Sequence, residues 1–108
     1  MRRTYLGEFE ELILLIVGIL HGQAYGVAVA KELAQQTGRQ VSIAAVHVAL
    51  HRLADKGLVN SQMGGATTAR GGRRKRFFTV TVAGQQILRE IHQTRNQLWN
   101  QLPATSLS

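Results

Sequence analysis

A mainly α chain with one small β wing is predicted by three observations. Apolar residues recur at helical spacing in three successive segments, the pattern turns strand-like after Gly57, and helical spacing resumes after Thr81. The 108 residues suit one folding unit with a real core and leave no room for a second, catalytic domain.

The first helix is expected over residues 9 to 20 and reads as buried. Glu8, Glu10 and Glu11 suit its positive N-terminal end, and His21-Gly22 suits its exit. A second helix should run from Gly26 to Gln36. Val29 and Leu33 form its inner face, Ala30 and Ala34 permit close approach, and Gly38 stops it. The third helix has the sharpest signal. Ser42 is placed to cap it, and Ile43, Val46, Leu50 and Leu53 recur at helical intervals that predict a core-facing stripe. Its other side carries Ala45, Val48 and Arg52, flanked by Ala44, His47 and His51, before Asp55, Lys56 and Gly57 end it.

Leu58 to Met63 and Lys75 to Val80 read as paired strands joined by a long basic tip from Gly64 to Gly72. Phe77 and Phe78 have the chemistry to stack on bases, but strand alternation assigns Phe78 to the inner face. Thr81 offers a cap for a last helix through about Gln101, ended by Pro103. The expected division is a winged-helix unit over 1–82, a helix packed on it over 83–103, and a fraying tail over 104–108.

Charge and composition narrow the function classes. Thirteen Lys and Arg oppose six Asp and Glu, and Arg70, Arg73, Arg74, Lys75 and Arg76 crowd five of the thirteen into seven residues, which favours a polyanionic partner. With no Cys there is neither a disulfide framework nor a thiolate metal site, as suits a cytoplasmic protein. Leu12 to Val17, continued by Ile19 and Leu20, falls short of the roughly 20 residues that cross a bilayer. Arg2 and Arg3 precede this stretch as in a signal peptide, yet Glu8, Glu10 and Glu11 intervene and no cleavage site follows. Catalysis is not expected, since acids are few and His21, His47, His51 and His92 are dispersed. His47 and His51 are helical neighbours without a surrounding metal motif, and the glycine-rich tip lacks a Walker Lys-Ser/Thr terminus, so neither metal nor nucleotide cofactor is expected.

Three helices followed by a hairpin is the order of a winged helix-turn-helix, whose third helix enters the major groove while the wing tracks the backbone. On that plan the DNA-facing residues are Ser42, Ala44, Ala45, His47, Val48, His51 and Arg52 on the helix, and Arg70, Arg73, Arg74, Lys75 and Arg76 in the wing. Small side chains let DNA come close, while Arg52 suits either a guanine edge or a phosphate. On the last helix Leu88, Ile91, Leu98 and Leu102 lie near one face, interrupted by Arg95 and enlarged by Ile87 and Trp99. That face, with Leu12, Leu15 and Ile16 of the first helix, is the expected homodimer contact; folding back within one chain is the alternative.

Tyr25-Gly26, Ser42, Ala49-Leu50-His51-Arg52-Leu53, Gly57-Leu58-Val59, Gly72-Arg73-Arg74-Lys75-Arg76-Phe77-Phe78 and Val80-Thr81 followed by Gly84 occur in an order and spacing that resemble the PadR family of bacterial transcriptional regulators, over roughly residues 9 to 88. The resemblance implies a dimeric winged-helix regulator, usually a repressor, joined by the helix after the wing. Its partner would be a pseudo-palindromic double-stranded DNA operator, and repression would follow from promoter occlusion. Two departures stand out: Val46-His47-Val48 replaces a Leu-Tyr-Pro-like step in the third helix, and Phe77-Phe78 replaces paired tyrosines. A small-molecule effector in apolar space between the first and last helices is compatible with this plan, although the sequence names none. The rival from another class is a basic structural or RNA-associated protein without operator specificity, which RNA would compete for strongly.

Overall fold

The computed structural model describes residues 6–64 and 75–104. Its elements are α1 (Glu8–Ile19), α2 (Gly26–Thr37), α3 (Ile43–Asp55), β1 (Val59–Met63), β2 (Arg76–Val80) and α4 (Val82–Trp99). Every expected element is present, in order, with ends within two residues of those read from the sequence.

Each helix starts or stops for a local reason. The α1 N-cap, Gly7, offers no side-chain acceptor, and the first turn is instead acidic through Glu8, Glu10 and Glu11. All three carboxylates are also tied to other elements. Arg39 reaches Glu8 at 2.8 Å, Lys56 reaches Glu10 at 2.6 Å and Arg95 reaches Glu11 at 2.9 Å. Helix α2 stops at Gly38, where φ of +74° suits a residue without Cβ. At the start of α3 the Ser42 hydroxyl accepts from the Ala45 N–H at 3.0 Å. Thr81 repeats this device for α4, accepting from the Gly84 N–H at 3.0 Å, and its hydroxyl also donates to the Gly57 carbonyl at 2.8 Å. One side chain thereby joins the first turn of α4 to the end of α3.

The core is built where these faces meet. Ile13, Leu14, Ile16 and Val17 of α1 pack with Val29 and Leu33 of α2 and with Val46, Ala49, Leu50 and Leu53 of α3. Leu58, Val59 and Phe78 close it from the hairpin side. The strands are antiparallel, with Val59 opposite Val80, Ser61 opposite Phe78 and Met63 opposite Arg76. Ala24 adds an isolated bridge to β2, its carbonyl accepting the Phe78 N–H at 2.8 Å. The core among the described residues holds no buried polar or charged side chain.

Three expectations need correction. Ile43 is 44% exposed, because the side chain of a helix's first residue leans back toward the helix start, away from the buried turns; Ala49 is buried in the stripe instead. Helix α1 is not buried all round, since Leu15 and Ile19 face outward. Ile16, grouped above with dimer-contact residues, is only 3% exposed and packs inside its own subunit, leaving almost no surface for a partner. Helix α4 divides in two. Ile87 and Leu88 pack on the core, whereas Leu98 and Trp99 are 61% and 58% exposed.

Two glycines should respond oppositely to alanine. At Gly84 an added Cβ would drive into the Leu58 carbonyl and the Val80 side chain, so α4 must shift; Gly84→Ala should cost roughly 1–3 kcal/mol. At Gly18, inside α1, the Cβ would meet only Val80 at an ordinary 3.7 Å, and Gly18→Ala should gain about 0.5–1 kcal/mol. Urea unfolding followed by circular dichroism measures both, and equal signs would contradict the packing described.

Candidate nucleic-acid interface

Burying Val46, Ala49, Leu50 and Leu53 leaves the other side of α3 in solvent. There Ala44, His47, Val48, His51 and Arg52 are exposed and Ala45 is half-buried. Ser42 is exposed as well, with its hydroxyl engaged in the cap. A helix held from behind by four core residues and presenting alanines, a valine and one arginine in front offers close approach, apolar contact and charge on one rigid surface.

His47 depends on α2. A Cβ at Gly26 would lie 2.7 Å from its Nε2 atom, so glycine there lets the imidazole settle against the first turn of α2. The His47 and His51 rings stand 6.5 Å apart and tilted by 33°. Among the described residues no three His, Cys, Asp or Glu side chains converge to hold a metal ion. Along the same outward side of α3, toward α1, a groove runs between the helix and the start of α1, lined by Glu8, Phe9, Glu10, Ala45, Val48 and Arg52.

The root of the wing lies beside this surface. Arg76 is exposed on β2, and its guanidinium donates to the Ser61 hydroxyl at 3.0 Å across the hairpin. Lys75 places its ammonium 4.1 Å from the centre of the Tyr25 ring. Tyr25 in turn meets Phe77 edge-on, with ring centroids 5.5 Å apart. Phe78 is 1% exposed and Phe77 is half-buried against Tyr25, so both aromatics are engaged within the fold. Arg70, Arg73 and Arg74 lie outside the described residues. Tyr25 was not among the expected interface residues. Its one sequence signal was membership in the Tyr25-Gly26 pair, which says nothing about Lys75.

The residues expected at a dimer contact differ in exposure. Leu12, Ile87, Leu88 and Ile91 are half-buried and Ile16 is buried, whereas Leu15, Leu98, Trp99 and Leu102 are exposed. Leu98, Trp99 and Leu102 share an open depression on α4 with His92, Arg95 and Asn96. Among the described residues no helix is long and apolar enough to cross a membrane.

Known proteins share this sequence pattern and fold. The family model described as the transcriptional regulator PadR-like family matches residues 13–90. No curated protein matches the chain. Among solved structures it is similar to a PadR family transcriptional regulator from Eggerthella lenta DSM 2243, at 25% identity and TM-score 0.68, over 86% of this chain and 80% of that one. A PadR family regulator from Clostridium difficile R20291 is similar in fold at 22% identity and TM-score 0.68, over 94% of this chain and 100% of that one. So is Bacillus subtilis PadR, solved in complex with operator DNA, at 19% identity and TM-score 0.60, over 76% of this chain and 46% of that one. With its three helices, hairpin and added helix in place and well over half its length matched, the chain belongs to the PadR-like family of transcriptional regulators, which are DNA-binding proteins and not enzymes.

Proposed function

We propose that this regulator acts as a homodimeric repressor, binding a pseudo-palindromic operator in double-stranded DNA in the cytoplasm and occluding a promoter. The observation that carries the reading is the outward face of α3. Ala44, Val48, His51 and Arg52 stand clear of the core on a helix fixed from behind, next to a basic wing root. The Bacillus subtilis protein of the same fold, solved with operator DNA, supports the choice of partner.

The roles divide by chemistry. Ala44 and Ala45 allow α3 into the major groove, Val48 meets a thymine methyl, Arg52 reads a guanine edge, and His47 and His51 donate to phosphate or water. Ser42 holds the N-terminus of α3 in register with these contacts. Arg70, Arg73, Arg74, Lys75 and Arg76 grip phosphates and carry little sequence information. Residues 1–82 form the DNA-binding unit and 83–103 the dimerisation helix. Leu98, Trp99 and Leu102 form the centre of that contact, with Ile91 and Leu15 at its margin, while Leu12, Ile87 and Leu88 brace α4 on its own subunit. Two-fold symmetry then sets two copies of α3 on successive major-groove faces, about 34–36 Å apart. A small effector between α1 and α4 is compatible with this plan and not required by it.

Two outcomes follow for DNA binding. Selection from a randomised duplex library should reorder when Arg52 or Val48 becomes alanine, Arg52→Ala losing about 1–3 kcal/mol of discrimination at one base pair. Arg73→Ala, Arg74→Ala and Arg76→Ala together should weaken all duplexes alike and flatten the salt dependence by about 0.9 per phosphate lost. An unchanged ranking in the first experiment, or strong competition by RNA, favours the sequence-blind alternative.

The dimer has its own test in sedimentation. Leu98→Asp with Leu102→Asp alters side chains already exposed in one subunit, so the fold should survive by circular dichroism while the dimer becomes a monomer. Full-operator binding should fall far more than half-site binding. A folded, dimeric double variant would place the interface elsewhere.

Repression is tested by mapping binding sites across the genome and measuring expression in a deletion strain. Directly bound genes should rise, and a fall in most of them would reverse the assigned sign.

A further inference from the structure

Three consecutive residues before and at the start of α2 touch both halves of the interface. The Ala24 carbonyl accepts the Phe78 N–H of β2 at 2.8 Å. The Tyr25 ring meets Phe77 edge-on at 5.5 Å and carries the Lys75 ammonium 4.1 Å from its centre. Gly26 lies against the imidazole of His47 on α3, where a Cβ would come within 2.7 Å of Nε2. The phenol oxygen of Tyr25 makes no hydrogen bond among the described residues, so its contacts belong to the ring.

We propose that Tyr25 is a positioning residue for DNA binding: its ring fixes the wing root against α3, through Phe77, and holds the Lys75 ammonium ready for a DNA phosphate. The proposal rests on the reading that α3 and the wing engage one duplex. Lysine is a flexible side chain that loses much rotamer freedom when it grips a phosphate. A ring beneath the ammonium restricts that freedom before DNA arrives and leaves the charge itself open to solvent. Phe77 provides the second constraint. Because the Tyr25 ring packs on it, the outer face of β2 cannot tilt away from the start of α2, and Gly26 and His47 tie that same start to α3. An aliphatic residue at 25 would fill space but supply neither the edge-on contact nor the attraction for a cation.

The test uses the whole chain and a duplex that the wild type selects from a random pool, titrated by fluorescence anisotropy across a salt series. Tyr25→Phe should bind within about twofold of the wild type with the same salt slope, because the ring is kept. Tyr25→Leu should bind about tenfold more weakly and lose about one phosphate from the slope, as should Lys75→Met. The double variant should be no weaker than Tyr25→Leu, since the two residues act as a unit. In the free protein, the Lys75 ε-methylene protons should shift upfield by NMR in the wild type and in Tyr25→Phe, under the ring current. Wild-type binding by Tyr25→Leu, fully additive losses in the double variant, or a Tyr25→Phe as weak as Tyr25→Leu would each overturn the proposal. So would unshifted Lys75 protons in the wild type, a result that holds even if Tyr25→Leu does not fold. A wild type that selects no duplex sinks the underlying reading together with the proposal; one that selects a duplex while the Tyr25 variants are silent sinks the proposal alone.

Discussion

Burial of Phe78 is the constraint on which the candidate DNA-facing side of this molecule depends. Its side chain is the largest in the core, and removing a phenyl group from water contributes roughly 1.5–3 kcal/mol. Its backbone is fixed as well, bonded to Ala24 on one side and paired with Ser61 on the other. Strand side chains alternate, so Phe78 inward sends Phe77 to the outer face. Lys75 shares the parity of Phe77, and both meet Tyr25. A slip of one residue would bury Phe77 instead and turn Lys75 away from that ring. A single aromatic group in the core thus decides where the charges of the wing root stand.

A second constraint concerns the acids. Glu8 and Glu10 line the same groove as Val48 and Arg52, and unpaired carboxylates there would repel an approaching phosphate backbone. Their pairing with Arg39 and Lys56 turns the rim of α3 from negative to neutral. Solvent-accessible pairs of this kind add at most about 1 kcal/mol each to stability, so their main consequence is electrostatic: they remove negative charge from beside the residues that face DNA in the proposed complex. The third pair, Arg95 with Glu11, lies away from α3 and braces α4 on α1 instead.

What could be read from the sequence follows from how local each signal is. Ser42 and Thr81 as caps, Gly38 as a stop, Val46, Leu50 and Leu53 in the stripe of α3 and the inward Phe78 are all set by neighbours within a turn or two of the chain, and each stands as read. Ile43 carried the same periodicity as Leu50, but the side chain of a helix's first residue points back beyond the helix start, and Ile43 is left exposed. The glutamates of α1 were legible as partners of a helix dipole and not as ion pairs, because Arg39, Lys56 and Arg95 come from three distant places. Tyr25 illustrates the same limit within the candidate site. Its proposed role depends on Lys75 and Phe77, and only the closed fold brings those residues to it.

Helix α4 shows how the packing within one subunit bears on the assembly. Its first half is held by the Thr81 hydroxyl on Gly57, by the close seat of Gly84 under Leu58 and by Ile87 and Leu88 on the core, while its second half carries exposed apolar side chains. Eighteen residues span about 27 Å, enough to carry Trp99 well away from the hairpin. Because Gly57 directly follows the α3 C-cap, the angle at which α4 leaves the subunit is set by the same few contacts that end α3. In the proposed dimer, the spacing of the two recognition helices is therefore governed at the Thr81 junction and transmitted along a rigid rod. In that dimer, a change at Gly84 or Thr81 would alter half-site spacing without touching any residue of the proposed DNA-binding face.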